Sequence, residues 1–323
     1  MNPAIVRPNL PAASGTPGVY VGLDELIRLK HKATGISFLP RQPIHSLLSG
    51  RHASRMRGRG LNFEELRDYR PGDDPRTIDW KVTARTQKAH VRVFTEERDR
   101  PALLVVDQRI SMFYGTQVAL KSVTAAEIAA LGAWRVLGQG DRVGGLVFDD
   151  GDVTEVSPHR SEGAVMRLLK AVVEKNQALR AGAGVAPAPA MLNTVLERAA
   201  RVAKHDYLVA VISDFDGADE VTRKLMLRMA QHNDVICALV HDPSATKLPE
   251  MARLVVSDGE LQVELDLGGG RTRERLAEES VKRLQRVIDW QRELGIPVLP
   301  IHTAEDPIRQ VQLLLGAAAT ARR

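Results

Sequence analysis

Residues 102 to 106, Ala-Leu-Leu-Val-Val, are apolar at every position, and the run stops on Asp107. A strand with one wet face alternates apolar and polar side chains. A run without alternation has to be covered on both faces, as in a parallel sheet lying between two layers of helices. In an open α/β sheet of that kind, ligands bind beyond the carboxyl ends of the strands. The run therefore sets a fold class, and Asp107 marks a chemical position within it.

The residues that follow keep to the same plan. Helical spacing from about Thr116 to Leu137 leads through a Gly140-Asp141 turn into a second apolar strand, Arg142–Phe148, which makes a βαβ unit. The tight acidic turn Asp149-Asp150-Gly151-Asp152 sends Val153–Ser157 back as an antiparallel strand. A helix from Ser161 to Asn176 opens with Ser-Glu, a favourable N-cap and first-turn acid. The stretch Ala181–Pro189 has too few large apolar residues to pack as an element and reads as a loop. Helices Ala190–His205, Asp219–His232, Arg271–Leu294 and Asp306–Leu315 then alternate with strands Tyr207–Ile212, Val235–Val240 and Pro297–Ile301. A hairpin, Arg253–Val256 with Leu261–Leu265, turns at Asp258-Gly259. This alternation predicts an α/β protein with a mostly parallel sheet flanked by helices.

The N-terminal third is different. Residues 1–19 read as a mobile arm, and residues 20–100 as an extension holding a helix over Gly22–Lys32, irregular crossings around Ser37–Gly50, and short strands near Thr77–Ala84 and His90–Thr95. The α/β domain then occupies 101–323. Within the extension, Arg70–Arg85 (RPGDDPRTIDWKVTAR) is dense in charge. Pro71-Gly72 is a turn signal; Asp73 and Asp74 can cap amides or pair with Arg70, Arg76 and Arg85; Asp79 and Lys81 flank Trp80, which reads as a core anchor in a strand. The segment is either an ion-pair network that fastens the extension or a surface that recognises a partner.

Composition narrows the function classes. With 323 residues, 44% of them hydrophobic, the chain can bury a sizeable core. No uncharged apolar run is long enough for a membrane helix and the first residues lack a signal-peptide pattern, so a cytoplasmic protein with at most peripheral membrane contact is expected. The single cysteine, Cys237, excludes an intramolecular disulfide. The first 100 residues carry 18 Lys and Arg against 11 Asp and Glu, with the basic cluster Arg51, His52, Arg55, Arg57 and Arg59 at its densest point. No aromatic residue interrupts that cluster, so a stacking platform for nucleic acid is not indicated; a solvated loop, or contact with an acidic partner or surface, fits better.

The string RGRGLNFEELRDYRPGDDPRTIDWKVTART, with VVDQRISM after it and VISDF near position 212, resembles the bacterial family called domain of unknown function 58, which is itself similar to the von Willebrand factor A domain. That resemblance implies a Rossmann-like fold. It also implies work beside a MoxR-type AAA+ ATPase, and other von Willebrand A-like proteins, in assembling or maturing a client protein. It further implies a metal-ion-dependent adhesion site, in which an Asp-x-Ser-x-Ser motif, a Thr and a later Asp hold Mg²⁺ for a partner's carboxylate. Asp107, Ser111 and Asp214 match, and would be the ligands if Mg²⁺ binds. Arg109 stands where the middle Ser belongs, and Pro187, Ala188 and Pro189 stand where the Thr belongs, with Thr194 too far into the next helix.

A permanent guanidinium at Arg109, able to pair with Asp107 or Asp214, predicts a degenerate site that keeps its shape without metal or any other cofactor. Asp107, Arg109, Ser111, Asp214 and Asp216 then form the expected partner-binding face. No residue is singled out as catalytic. The chain has no phosphate-binding Gly-rich loop, nucleophile elbow, His-Glu-x-x-His helix or Cys-x-x-Cys pair. The alternatives are a metal-dependent phosphoesterase using Asp214 and Asp216, or nucleic-acid binding through Arg51–Arg59.

Overall fold

A computed structural model describes residues 17–33, 61–71, 73–96, 101–180, 186–245, 253–257, 262–266 and 270–320. The basic cluster Arg51–Arg59, the Ser37–Gly50 stretch, Gly72 and the Asp258-Gly259 turn lie outside the described residues. The chain divides into two compact units. One lies within residues 44–99, and the other contains 17–33 and everything described from 101 onward.

In chain order, two short helices, α1 (Leu23–Arg28) and α2 (Lys30–Ala33), come first and belong to the larger unit. The smaller unit holds β1 (Leu61–Asp68), α3 (Trp80–Thr86) and β2 (His90–Glu96), with β1 and β2 paired antiparallel. The strand expected over Thr77–Ala84 is instead a 3₁₀ turn at Pro75–Thr77 followed by α3. The reason is local: the Asp79 carboxylate accepts from the amides of Lys81 and Val82, an N-cap that outweighs the strand preference of the residues after it. Trp80 is consequently the first residue of a surface helix, 68% exposed, and not a core anchor.

Asp73 does not pair with the side chains of Arg70, Arg76 or Arg85. It takes a two-pronged ion pair from Arg67 at 2.8 Å and accepts the Arg70 amide, while Asp74 accepts the amide of Arg76. The Arg67 pair holds the Asp73 carboxyl down at about 2. Arg85 sits exposed in the last turn of α3. Asp73, Asp74 and Asp79 thus fasten successive turns of one segment.

The larger unit continues with β3 (Ala102–Asp107), α4 (Lys121–Gly138), β4 (Val143–Phe148), β5 (Val153–His159), α5 (Glu162–Ala178), α6 (Met191–Val202), β6 (Leu208–Ser213), α7 (Glu220–Ala230) and β7 (Asp234–His241). After these come the hairpin β8 (Arg253–Ser257) and β9 (Gln262–Asp266), then α8 (Gly270–Glu293), β10 (Val298–His302) and α9 (Pro307–Thr320). The central sheet runs β10-β7-β6-β3-β4-β5, parallel except for β5. Chain order reverses between β3 and β6, which makes the gap beyond their carboxyl ends the topological switch point.

Alternate residues of β3 feed two cores. Ala102, Leu104 and Val106 pack with α1, α2, α4, α5 and α9, whereas Leu103 and Val105 pack with α6, α7 and α8. The double-sided burial inferred from the unbroken apolar run is the result. The N-terminal helices are stitched onto the first of these layers: Leu26 is fully buried, its carbonyl accepts from Trp134 Nε1 at 3.0 Å, and the Val21 amide donates to Asn176 Oδ1 at 2.9 Å.

This packing traps Glu127 of α4, whose carboxyl burial pushes up to about 7, with Asp306 and Glu25 adding like charge and Lys32 opposing them. A carboxyl raised above its ordinary value of 4.5 contributes stability that is fully present below that pH and is lost as the pH rises to about 7. Glu127→Gln is therefore expected to be more stable than the parent at pH 8, by about 1–3 kcal/mol, and to lack the decline between those two pH values. Urea denaturation across that range checks this; an unchanged pH slope in the variant would show that Glu127 is not the group responsible.

Candidate functional site

The switch point is built from the ends of β3 and β6. Asp107, the last residue of β3, is fully buried and accepts four kinds of donor. Arg109 Nη2 reaches its Oδ2 at 2.7 Å and Arg109 Nε its Oδ1 at 3.0 Å, the Arg109 amide adds a third bond at 3.0 Å, and Ser213 Oγ of β6 adds a fourth at 2.6 Å. Arg109 is itself 1% exposed, lies over the Phe148 ring, and uses Nη1 to hold the carbonyls of Pro189 and Asp216. One guanidinium thus joins β3, the loop entering α6 and the loop leaving β6.

Asp214, directly after β6, is 3% exposed. Its Oδ2 accepts from Lys121 Nζ at 2.6 Å; its Oδ1 accepts from the Asp216 amide at 2.9 Å and lies 3.5 Å from Ser111 Oγ. Arg109 Nη2 is 3.8 Å away. Asp216 pairs with Arg283 of α8. The backbone that presents these groups is tightly constrained. Phe215 has φ 54, and its buried ring meets Trp290 edge-on at 5.6 Å between centroids. Gly217 follows at φ 79, where a Cβ would sit 2.8 Å from the Pro189 carbonyl oxygen, so only glycine allows that approach.

The electrostatics follow from burial and partners. Burial pushes Asp214 up, but Lys121, Arg283 and Arg109 overcome it and hold the carboxyl far below the usual carboxylate range. Burial likewise pushes Asp107 up, against the pull of Arg109 and the Ser213 hydroxyl. Arg109 is held protonated by Asp107, Asp214 and Asp216 in spite of its own desolvation.

A Mg²⁺ ion does not fit this donor set as it stands. Both Asp107 oxygens accept from Arg109, and both Asp214 oxygens accept from Lys121 or a backbone amide. Two side-chain cations already stand where an octahedral oxygen shell would have to form. Of the residues singled out from sequence, Asp107, Arg109, Ser111, Asp214 and Asp216 come together, and Thr194 faces the Ala190 carbonyl of its own helix. Three of the five are buried, and Ser111 and Asp216 lie at the rim.

Sequence reasoning missed Lys121 and Arg283, the cations that complete the site, because neither belongs to a spaced motif. It also missed that every neighbouring strand end uses a carboxylate to tie a loop. Asp150, after β4, accepts the amides of Ile110 and Ala188 at 2.6 and 2.7 Å. Asp242, after β7, accepts from Thr116, Ser244 and Thr303. Gln108 is buried between Ser122 and Asn176 and links the end of β3 to the residue that holds Val21.

The chain belongs to the family described as "Protein of unknown function DUF58", whose profile matches residues 65–287. Uncharacterized proteins of Mycobacterium tuberculosis and Mycobacterium bovis are 29% identical over 305 residues, which covers 94% of this chain and 92% of theirs. Among solved structures, a von Willebrand factor type A protein from Catenulispora acidiphila aligns at a TM-score of 0.32 with 14% identity, over 71% of this chain and 43% of that one.

Because Arg109 is the sole bidentate partner of a fully buried carboxylate among the described residues, Arg109→Ala should cost about 3–5 kcal/mol in chemical denaturation. Replacing both partners with neutral groups, Asp107→Asn with Arg109→Met, should cost less than the Arg109→Ala change alone. A loss under about 1 kcal/mol for Arg109→Ala would mean the pair does not organise the site.

Proposed function

We propose that this chain is a non-enzymatic protein-interaction adaptor whose strand-end site is a degenerate adhesion site that works without metal. The observation that carries this reading is the placement of two side-chain cations, Arg109 on Asp107 and Lys121 on Asp214, at the topological switch point. A divalent ion in such a site neutralises two carboxylates and cross-links three loops. Here a guanidinium and an ammonium do both, and the rim they support is pre-organised.

The same pairing argues against a phosphoesterase built on Asp214 and Asp216. Metal-assisted phosphoryl chemistry needs carboxylates free to hold the ion. Lys121 occupies Asp214 and Arg283 occupies Asp216. The finer parts of the reading, a MoxR-type AAA+ ATPase as partner and a client protein whose assembly it drives, rest on the family resemblance. The partner would contact Ser111, Asp216 and the β3–α4 loop, where Val118 is 62% exposed.

Capture of a MoxR-type ATPase from the same source by the tagged full chain tests the proposal. Retention in EDTA with nucleotide supplied separately is expected, together with a loss of about tenfold or more in affinity for Val118→Asp combined with Asp216→Lys, measured below the melting temperature of the variant. If the ATPase fails to bind, or binds the double variant equally well, the adaptor reading through this face is wrong.

A further inference from the structure

In the smaller unit, the charged segment around α3 presents a surface that the strand-end site does not use. Helix α3 has no buried residue. Trp80 and Ala84, one helical turn apart, form an exposed stripe, and Lys81 and Arg85 form the next one beside it. Val82 and Thr83, on the other side of the helix, are half-buried. Trp80 is 68% exposed, whereas the other two tryptophans, Trp134 and Trp290, are 5% and 1% exposed.

The charge around this indole has one sign to spare. Residues 70–88 carry Arg70, Arg76, Lys81, Arg85 and Lys88 against Asp73, Asp74 and Asp79. Each carboxylate is already engaged within the unit: Asp73 by the Arg67 fork, Asp74 by the Arg76 amide, and Asp79 by the first amides of α3. The five cations are all exposed, and none makes an ion pair among the described residues. The complement of such a face is an anionic surface.

Three kinds of anionic surface make different demands. The centre of a protein interface is apolar and depleted of lysine, and here one indole stands among lysines and arginines. A platform for single-stranded nucleic acid stacks successive bases on several aromatic rings, and Trp80 is the one aromatic residue between 70 and 88. A bilayer interface needs only a single amphipathic indole at headgroup depth, with long cationic side chains reaching the phosphates.

We propose that α3 is a peripheral docking element for an anionic phospholipid surface, in which Trp80 enters the headgroup layer and Arg76, Lys81 and Arg85 pair with lipid phosphates. No helix among the described residues is long and apolar enough to cross a membrane. Attachment through one indole and a few cations is therefore reversible and weakened by salt.

The test mixes the full chain with vesicles of phosphatidylcholine containing about 30% phosphatidylglycerol, or of phosphatidylcholine alone, and follows co-sedimentation and tryptophan emission. Because Trp134 and Trp290 are buried, a change in emission or in quenching by acrylamide reports Trp80. A blue shift with protection from acrylamide is expected on the anionic vesicles alone, reversed at about 0.5 M salt. Lys81→Glu with Arg85→Glu should weaken partitioning by about tenfold or more, and Trp80→Ala should abolish the blue shift. These are exposed positions, and the quenching of the parent chain decides by itself should a variant fold poorly. No partitioning, or partitioning with unshifted emission, would overturn the proposal. Tighter binding of oligothymidylate, with Trp80 quenched, would overturn it in favour of nucleic acid.

Discussion

The buried pair of Asp107 and Arg109 is the interaction on which the carboxyl end of the sheet depends. A charge taken out of water is tolerated only when its partners satisfy it fully, and here a bidentate guanidinium, a hydroxyl and an amide all converge on one carboxylate. The remaining guanidinium nitrogen reaches two carbonyls from separate loops, at Pro189 and Asp216. Removing either partner would strand a charge, whereas keeping both fixes the positions of β3, β6 and the loops around them. Such a pair contributes little net stability compared with an apolar replacement; what it supplies is a defined geometry.

The same device recurs along the sheet edge with different partners. Asp150 gathers amides from two loops, Asp214 is held by Lys121, and Asp242 gathers hydroxyls and amides from three segments. Here they are consumed by the protein itself, which produces a rigid rim suited to recognition. The proposed adaptor role rests on this saturation.

Much of the fold was legible because its signals are local and redundant. The unbroken apolar run of β3, the acidic turn before β5 and the Ser161 cap, which accepts the Ala164 amide, each specify their element with a few adjacent residues. The Asp107, Arg109 and Asp214 cluster was legible because two strand ends and one departure from a motif pointed to it. Lys121 was not, since its role depends on the β3–α4 loop folding back to bring α4's first residue against β6. Trp80 was misplaced because an aromatic between charged residues suits a strand as well as a helix start, and the Asp79 cap decides between them.

The central claim is that side-chain cations stand in for a divalent ion, and thermal denaturation with Mg²⁺ and with EDTA tests it most directly. Arg109→Ser converts residues 107–111 to Asp-Gln-Ser-Ile-Ser, and Lys121→Ala frees Asp214. The account predicts that the parent melts at the same temperature in both conditions, while the double variant is destabilised in EDTA and regains stability as Mg²⁺ is added. A parent chain whose melting temperature rises with Mg²⁺, or a double variant indifferent to it, would contradict the substitution of guanidinium and ammonium for metal.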